Sequence, residues 1–187
     1  MANRMNILLS ISLVALFAAL TAAGAFISIP LPFSPVPVVL QNLFALLSGM
    51  ILGPLMGTAA TILYLCIGIL GAPVFAGARG GFAVLLGPTG GYLLGYVSAS
   101  LVAGIITGSP RKNHGTHWVR IVTAVLVGMI LIYIPGLLRL NMVLNGNWPK
   151  TLTAGLIPFI LGDLAKGAVA CLITPRLRNL VSDIYHA

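Results

Sequence analysis

One acidic and one basic residue lie inside a long apolar stretch near the end of the chain. Asp163 and Lys166 stand within Leu156–Ala170, and Asp163 is one of only two acidic residues among 187. A spacing of three residues puts both side chains on the same face of a helix. If the helix begins near Thr151, Asp163 lies roughly 18 Å along it, close to the middle of a bilayer. An ionised group at that depth costs on the order of 3 kcal/mol, so it normally faces a partner or a wet cavity.

Two interpretations of this pair compete. In the first, the two charges form an ion pair that only fixes one helix to another, although buried pairs often add little stability. In the second, they line a binding site. Small residues and one aromatic residue share the helical stripe with the pair, a pattern that suits a cavity wall better than a lipid face. The stripe consists of Gly155, Phe159, Gly162, Asp163, Lys166 and Ala170. We therefore favour the binding site.

The composition of the chain indicates a membrane protein. Hydrophobic residues make up 59% and charged residues 6% of the chain, and the mean hydropathy is +1.09. No soluble domain of this size tolerates such a surface. The net charge of +8 would suggest nucleic acid as the partner of a soluble chain. Here the basic residues lie at the ends of apolar segments, as the positive-inside rule and anionic lipids favour, so we expect contact with lipid and no nucleic-acid partner.

Six apolar segments predict an all-α, polytopic fold that forms a single integral membrane domain over residues 1–187. The predicted transmembrane helices cover approximately residues 6–29, 38–52, 54–70, 91–108, 119–138 and 151–174. The first segment also fits a cleavable signal peptide, but its apolar run of about 20 residues is long for one. An even number of spans puts both termini on one side. The basic residues near the segment ends assign that side to the cytoplasm.

Two connections between the predicted spans have unusual compositions. Four prolines in Ile29–Pro37 exclude a helix and predict an extended loop at one face of the membrane. The glycine-rich loop Gly71–Pro88, between helices 3 and 4, permits close approach of the backbone to a ligand. We expect it to fold back as a lid or re-entrant segment against protein or a wet cavity. Arg79 in this loop lies on the outer side and suggests a site for an incoming anion.

The available residues favour binding rather than catalysis. The predicted spans contain one carboxylate, no histidine and no activated nucleophile, so we predict neither an enzyme nor a cofactor site. Cys66 and Cys171 lie in apolar runs without a metal-binding spacing. The pair His114 and His117 is too weak a signal to predict a metal site.

A membrane protein that binds a ligand without catalysing a reaction suggests a transporter, and a transporter needs an energy source. Two energy sources are compatible with the sequence. The sequence has no nucleotide-binding loop, which favours a small membrane binder driven by a separate motor. The competing function is a proton-coupled secondary transporter of a small anionic vitamin or metabolite, with Asp163 as the proton relay.

Several short motifs extend over most of the chain and form a specific combination. They are Pro35-Val36-Pro37 with Gln41, Phe75-Ala76-Gly77 through Gly80-Gly81, Gly87-Pro88-Thr89-Gly90-Gly91-Tyr92, Tyr133-x-x-Gly136, and Pro158-Phe159-x-x-Gly162-Asp163-x-x-Lys166. Together they resemble the BioY family, the biotin-binding substrate subunits (S components) of energy-coupling-factor (ECF) transporters. The resemblance implies six helices and a biotin pocket open to the outside of a prokaryotic plasma membrane. It also implies a coupling (T) subunit and two ABC-type ATPase subunits as partners.

The chemistry of biotin is compatible with the residues of these motifs. Its ureido ring has two N–H donors, which Asp163 could accept, and a carbonyl, to which Lys166 could donate. Tyr92 and Phe159 could cover the apolar ring. Arg79 or backbone N–H groups of the glycine loop could take the carboxylate. The predicted substrate-binding residues are Gln41, Arg79, Gly80, Gly81, Thr89, Tyr92, Phe159, Asp163 and Lys166.

A row of alanines on the first predicted helix is a candidate partner interface. Ala15, Ala19 and Ala23 recur at helical spacing and make a flat surface that lets another helix approach closely. Packing within this chain explains the spacing equally well. Members of the wider transporter class use such faces to meet the coupling subunit, so the resemblance implies that role for these alanines.

Overall fold

The chain folds mainly into helices. The computed structural model describes residues 2–110 and 117–185. In chain order it contains α1 (Ala2–Phe26), β1 (Ser28–Leu31), β2 (Ser34–Val39), α2 (Gln41–Leu52), α3 (Pro54–Ile69), α4 (Ala83–Leu86), α5 (Gly90–Thr107), α6 (Trp118–Val143), α7 (Trp148–Gly155), a short 3-10 helix (Ile157–Phe159) and α8 (Ile160–Tyr185).

Four stretches of the described ranges are long and apolar enough to cross a membrane. They are Ile7–Phe26, Gly90–Thr107, Trp118–Val143 and Trp148–Ile184. The apolar helices α2 and α3 have only 12 and 16 residues. At a rise of 1.5 Å per residue they extend about 18 and 24 Å, less than the roughly 30 Å of a hydrocarbon core. The multi-pass character agrees with the prediction, but helix length alone does not establish six spans.

The contacts between helix ends define two ends of the bundle. At the end that we call the loop end, the β-hairpin follows α1, and the Leu40 N–H donates to the Gly24 carbonyl at 3.1 Å. At the opposite end, the start of α3 packs so closely on α5 that a Cβ on Gly104 would lie 2.6 Å from the Cα of Pro54. We call this the Arg178 end, because Arg178 of α8 donates there to carbonyls of α2 and α5. Helix α2 thus begins at the loop end and finishes at the Arg178 end, and α3 runs from the Arg178 end back to the loop end.

The proline-rich segment departs from the all-α prediction. It is extended, as expected, but β1 and β2 pair as an antiparallel hairpin with Ser28 opposite Val39 and Leu31 opposite Ser34. Proline removes hydrogen-bond donors, and a two-stranded ribbon tolerates this because each strand has a free edge. The Ser34 hydroxyl donates to the Ala154 carbonyl at 2.6 Å, which joins the hairpin to α7.

The last predicted span is not one continuous helix. The helix is interrupted between α7 and α8. Leu156 there has φ −127°, and Pro158 lacks the N–H that a continuing helix needs. The prediction that Asp163 lies roughly 18 Å into a helix is therefore wrong, since this residue is in the first turn of α8. Helix α8 also continues through Pro175 to Tyr185, well beyond the predicted end of the span.

Glycines on α5 allow α6 to approach it closely at the loop end. A Cβ on Gly95 would lie 2.8 Å from the Cα of Ile132, and one on Gly91 would lie 2.7 Å from the Cβ of Arg139. Only glycine, whose side chain is a single hydrogen atom, fits such a contact. The close approach brings Tyr92 of α5 and Tyr133 of α6 to the same cavity.

Candidate functional site

A cavity that we call the inner cavity opens at the loop end. Its empty space, counted together with the open mouth, is about 560 Å³. Its walls come from β2, α2, α5, α6, α8 and the connections between them. The lining residues are Val36, Pro37, Val39, Gln41, Asn42, Phe75, Ala76, Thr89, Tyr92, Leu93, Tyr96, Ile132, Tyr133, Phe159, Asp163 and Lys166.

A polar cluster of Asn42, Tyr133, Asp163 and Lys166 forms part of this lining. Lys166 Nζ and Asp163 Oδ1 are 2.8 Å apart, and the two residues are only 8% and 5% exposed. Asn42 joins both charges, because its Nδ2 donates to Asp163 Oδ1 at 2.9 Å and its Oδ1 accepts from Lys166 Nζ at 3.0 Å. The Tyr133 hydroxyl donates to Asp163 Oδ2. Three helices therefore meet at one carboxylate.

The two charged groups differ in what they can still offer a ligand. The ammonium of Lys166 has three N–H donors. They are directed at the Val39 carbonyl (2.8 Å), Asn42 Oδ1 and Asp163 Oδ1, so none is free. The carboxylate of Asp163 accepts three hydrogen bonds and has about four acceptor positions, which leaves one. A ligand N–H can bond Asp163 directly, whereas Lys166 can donate to a ligand only by exchanging one of its present partners.

Asp163 lies in the first turn of α8. The first N–H groups of a helix have no partner within the helix, and the helix dipole favours negative charge there. The interruption before α8 thus places the carboxylate near a helix N-terminus, while its hydrogen bonds come from the side chains of Asn42, Tyr133 and Lys166. Asp163 and Lys166 form an ion pair and also line a cavity, so the features of both interpretations of the sequence occur together.

Aromatic side chains provide the apolar walls. The rings of Tyr92 and Tyr133 meet edge to face with centroids 6.1 Å apart. The Tyr92 hydroxyl donates to the Gly155 carbonyl at 2.8 Å, which fixes the ring in the wall. Tyr96 and Phe159 are also buried against the cavity. Such rings offer flat apolar surfaces to a ring-shaped ligand.

Six of the nine predicted substrate-binding residues lie in the inner cavity. They are Gln41, Thr89, Tyr92, Phe159, Asp163 and Lys166. The Gln41 amide is already engaged, since its Nε2 donates to the Tyr64 hydroxyl and to the Val74 carbonyl. It therefore supports the wall as much as it faces the cavity.

The other three predicted residues belong to the glycine-rich loop and lie elsewhere. Arg79 lines a second cavity, the outer cavity, which holds about 1,130 Å³ counting its open mouth. Gly80 and Gly81 line neither cavity. The Gly81 N–H donates to the Gly68 carbonyl at 2.7 Å, and a Cβ on Gly80 would lie 2.6 Å from the Gly71 carbonyl oxygen. These two glycines shape the loop.

Three lining residues with polar side chains are not among the nine predicted substrate-binding residues. Asn42 joins the two charges, Tyr133 bonds the carboxylate, and Tyr96 lies beside them in the wall. The available signal was a polar amide or hydroxyl within an apolar segment, and for Tyr133 its place in a motif. Neither signal says which face of a helix looks into a cavity.

The predicted alanine interface is exposed. Ala15, Ala19 and Ala23 face outward from α1, whereas Ala18 is buried. Within the described ranges the outward row does not pack against another helix of the chain.

The histidine pair considered as a metal site is only partly described. His114 lies outside the described residues, and His117 precedes α6. Among the residues with coordinates on either side of that gap, no group of three or more His, Cys, Asp or Glu side chains could hold a metal ion.

Known proteins resemble this chain over most of its length. Residues 1–183 match the model of the BioY family. The probable biotin transporter BioY of Pyrococcus horikoshii is 42% identical over 169 residues, covering 90% of this chain and 96% of the relative. The biotin transporter BioY of Thermotoga maritima is 40% identical over 165 residues, covering 88% and 93%. A 2.1 Å crystal structure of the S-component for biotin from an ECF-type ABC transporter matches with a TM-score of 0.78 and 30% identity, covering 90% of each chain.

Proposed function

The chain belongs to the BioY family, and we propose that it binds biotin and serves in biotin uptake as the substrate-binding subunit of an ECF-type ABC transporter. The observation that carries this function is the polar cluster of Asn42, Tyr133, Asp163 and Lys166 in an aromatic-walled cavity. The proton-coupled alternative is not favoured, since the relatives are named biotin transporters and the solved neighbour is an S-component.

The polar cluster matches the ureido ring of biotin. We assign the free acceptor position of Asp163 to one ureido N–H. Lys166 then donates to the ureido carbonyl after releasing one present partner. Both bonds are charge-assisted, which strengthens them. Tyr92, Tyr133 and Phe159 cover the apolar part of the bicyclic ring.

The tail of biotin then extends toward the outer cavity. Pro37, Ala76 and Thr89 line both cavities and mark the passage between them. In this arrangement Thr89 and Arg79 receive the carboxylate. Gly80 and Gly81 hold the loop in shape rather than contact the ligand.

We further propose that six helices cross the membrane, with the loop end facing outward in a prokaryotic plasma membrane. Helices α2 and α3 each connect the two ends of the bundle despite their length, as the contacts at Met50 and Pro54 indicate. Arg111 and Lys112 lie outside the described residues, but they follow α5, which finishes at the Arg178 end. Their charge favours the cytoplasmic side for that end.

Titration calorimetry tests the binding function directly. Biotin is added to the detergent-purified chain, and we expect saturable binding of one biotin per chain. Folded protein that gives no binding heat with biotin would remove this function. Uptake in cells that survives ATP depletion and collapses with a protonophore would instead favour the secondary transporter.

The partners are a coupling subunit and two ATPase subunits, and α1 supplies the surface for the first. The exposed small residues Ala15, Ala19 and Ala23 leave room for a second helix. Ala19→Leu should keep biotin affinity but reduce the amount of coupling subunit that co-purifies. Ala59→Leu adds the same bulk to an exposed position of α3 and is the matched control. Equal loss in both variants, or loss of biotin binding, would argue against this interface.

A further inference from the structure

The outer cavity extends beyond the inner one on the outward side of the passage. Its walls come from the end of α1, the hairpin and the turn at 76–79. The space is larger than the inner cavity, about 1,130 Å³ against about 560 Å³ with both mouths counted. The carboxylate end of a biotin tail would occupy only part of it.

The turn that carries Arg79 is firmly anchored. Phe75 is 1% exposed and its ring meets Tyr64 edge to face at 5.6 Å. The Phe75 N–H donates to the Arg79 carbonyl at 2.9 Å, and the Arg79 N–H donates back at 3.2 Å. Gly77 and Ala78 close this turn with φ +74° and +55°, and a left-handed φ is uncommon for alanine. The backbone at Arg79 is thus held in place while its side chain stays exposed.

Two side chains of the outer cavity remain available to a ligand. Arg79 is the single charged residue among the described residues of the lining, and its guanidinium bonds to no other described side chain or carbonyl. The Thr89 hydroxyl, at the passage, likewise bonds to no described group. The Ser34 hydroxyl differs, because it is used by Ala154 and Val36.

We propose that the outer cavity accepts a substituent joined to biotin through an amide at its carboxyl group, with a distal carboxylate held by Arg79. The ligand class is therefore biotin amides of amino acids, in addition to free biotin. This inference rests on the proposed function, because the ureido ring must occupy the inner cavity. The amide keeps a carbonyl at the passage, to which the Thr89 hydroxyl can donate.

The test uses three ligands and calorimetry on the detergent-purified chain. They are biotin, 6-(biotinamido)hexanoic acid and the terminal primary amide of that acid, which has the same length and no charge. We expect the acid to bind within thirtyfold of biotin. The acid should bind about two- to fivefold more tightly than its neutral amide, the size expected for an exposed ion pair. Raising the salt concentration should shrink that difference.

Variants at Arg79 separate its charge from the cavity itself. Arg79→Gln should make the acid and its amide bind equally, and Arg79→Lys should retain part of the difference. Lys150→Gln removes an exposed cation that lines neither cavity and is the matched control. It should leave the difference unchanged.

The outcomes distinguish this inference from the proposed function. If biotin binds but 6-(biotinamido)hexanoic acid binds more than thirtyfold more weakly, the inference is overturned and the proposed function is unaffected. If the acid and its amide bind equally well to the unaltered chain, Arg79 does not hold the distal carboxylate. Failure of biotin itself to bind would overturn the proposed function.

Discussion

Two buried basic side chains lie at opposite ends of the bundle, and their partners differ. Lys166, at the loop end, contacts a carboxylate, an amide oxygen and one carbonyl beside the inner cavity. Arg178 is buried to the same degree, 5% exposed against 8%. It contacts only backbone carbonyls, those of Met50 (2.5 Å), Gly108 (2.9 Å) and Thr107 (3.1 Å), and it lines neither cavity.

The helix ends explain the partners of Arg178. The last carbonyls of α2 and α5 have no acceptor role within their helices and carry the negative end of the helix dipole. A planar guanidinium with five donors can bond several such carbonyls at once. Arg178 therefore ties α8 to two other helices. Burial of a charge does not by itself indicate a binding site; the indication comes from its partners and the empty space beside it.

The largest expected effect is the loss of stability when Arg178 is removed. Arg178→Met removes the guanidinium from the carbonyls of Thr107 and Gly108 and leaves the Met50 carbonyl with only the Thr107 hydroxyl as donor, at a cost of about 3 kcal/mol. For a chain of this size that lowers the melting temperature by roughly 6–12 °C, measured by thermal unfolding in detergent. Biotin affinity in the cold should stay unchanged. Arg176→Met changes an exposed position and is the control. Equal melting temperatures for the two variants would show that Arg178 does not hold α8 against α2 and α5.

The next effect concerns binding at the other end of the bundle. Asp163→Asn removes the charge that would accept a ureido N–H, a bond worth about 1.5–3 kcal/mol. Biotin affinity should fall at least tenfold in calorimetry. Asp183→Asn neutralises the only other acidic residue of the chain, which is exposed, and should leave the affinity unchanged. An unaltered affinity for Asp163→Asn would remove the carboxylate from the site.

A smaller effect is expected from Tyr133→Phe. The hydroxyl bonds Asp163 Oδ2 and helps to fix the orientation of the carboxylate, while the ring stays in the wall. Because the hydroxyl acts on biotin only through the carboxylate, we expect a loss of about 1 kcal/mol, which is about fivefold weaker binding of biotin in calorimetry. Tighter binding would mean that the hydroxyl competes with the ligand for that oxygen.

The smallest effect is expected at the Arg178 end. The Ser182 hydroxyl is buried and has no hydrogen-bond partner among the described residues. Ser182→Ala removes a polar group whose burial costs free energy, so the melting temperature should stay equal or rise slightly. Biotin affinity should change less than twofold. A clear fall in melting temperature would show that this hydroxyl makes a stabilising contact.

Most of the helical framework was predictable because long apolar segments in a sequence directly indicate the helices of a membrane protein. Two details were not. The prolines of Ile29–Pro37 excluded a helix, but the pairing of β1 with β2 depends on contacts that no local pattern specifies. Pro158 gave a local reason to break the last span, yet the apolar run through it concealed the break.

For the site, the sequence alone determined the part that is local. Asp163 and Lys166 are three residues apart, so any helix places them together, and their rarity in an apolar chain marked them. Only the tertiary structure decided that Asn42, 121 residues away from Asp163, joins the two charges and that Tyr133 completes the cluster. It also placed Arg79 in a separate outer cavity. The physical reason is that helix periodicity acts over a few residues, whereas the packing of α2 and α6 against α8 results from many weak contacts between distant parts of the chain.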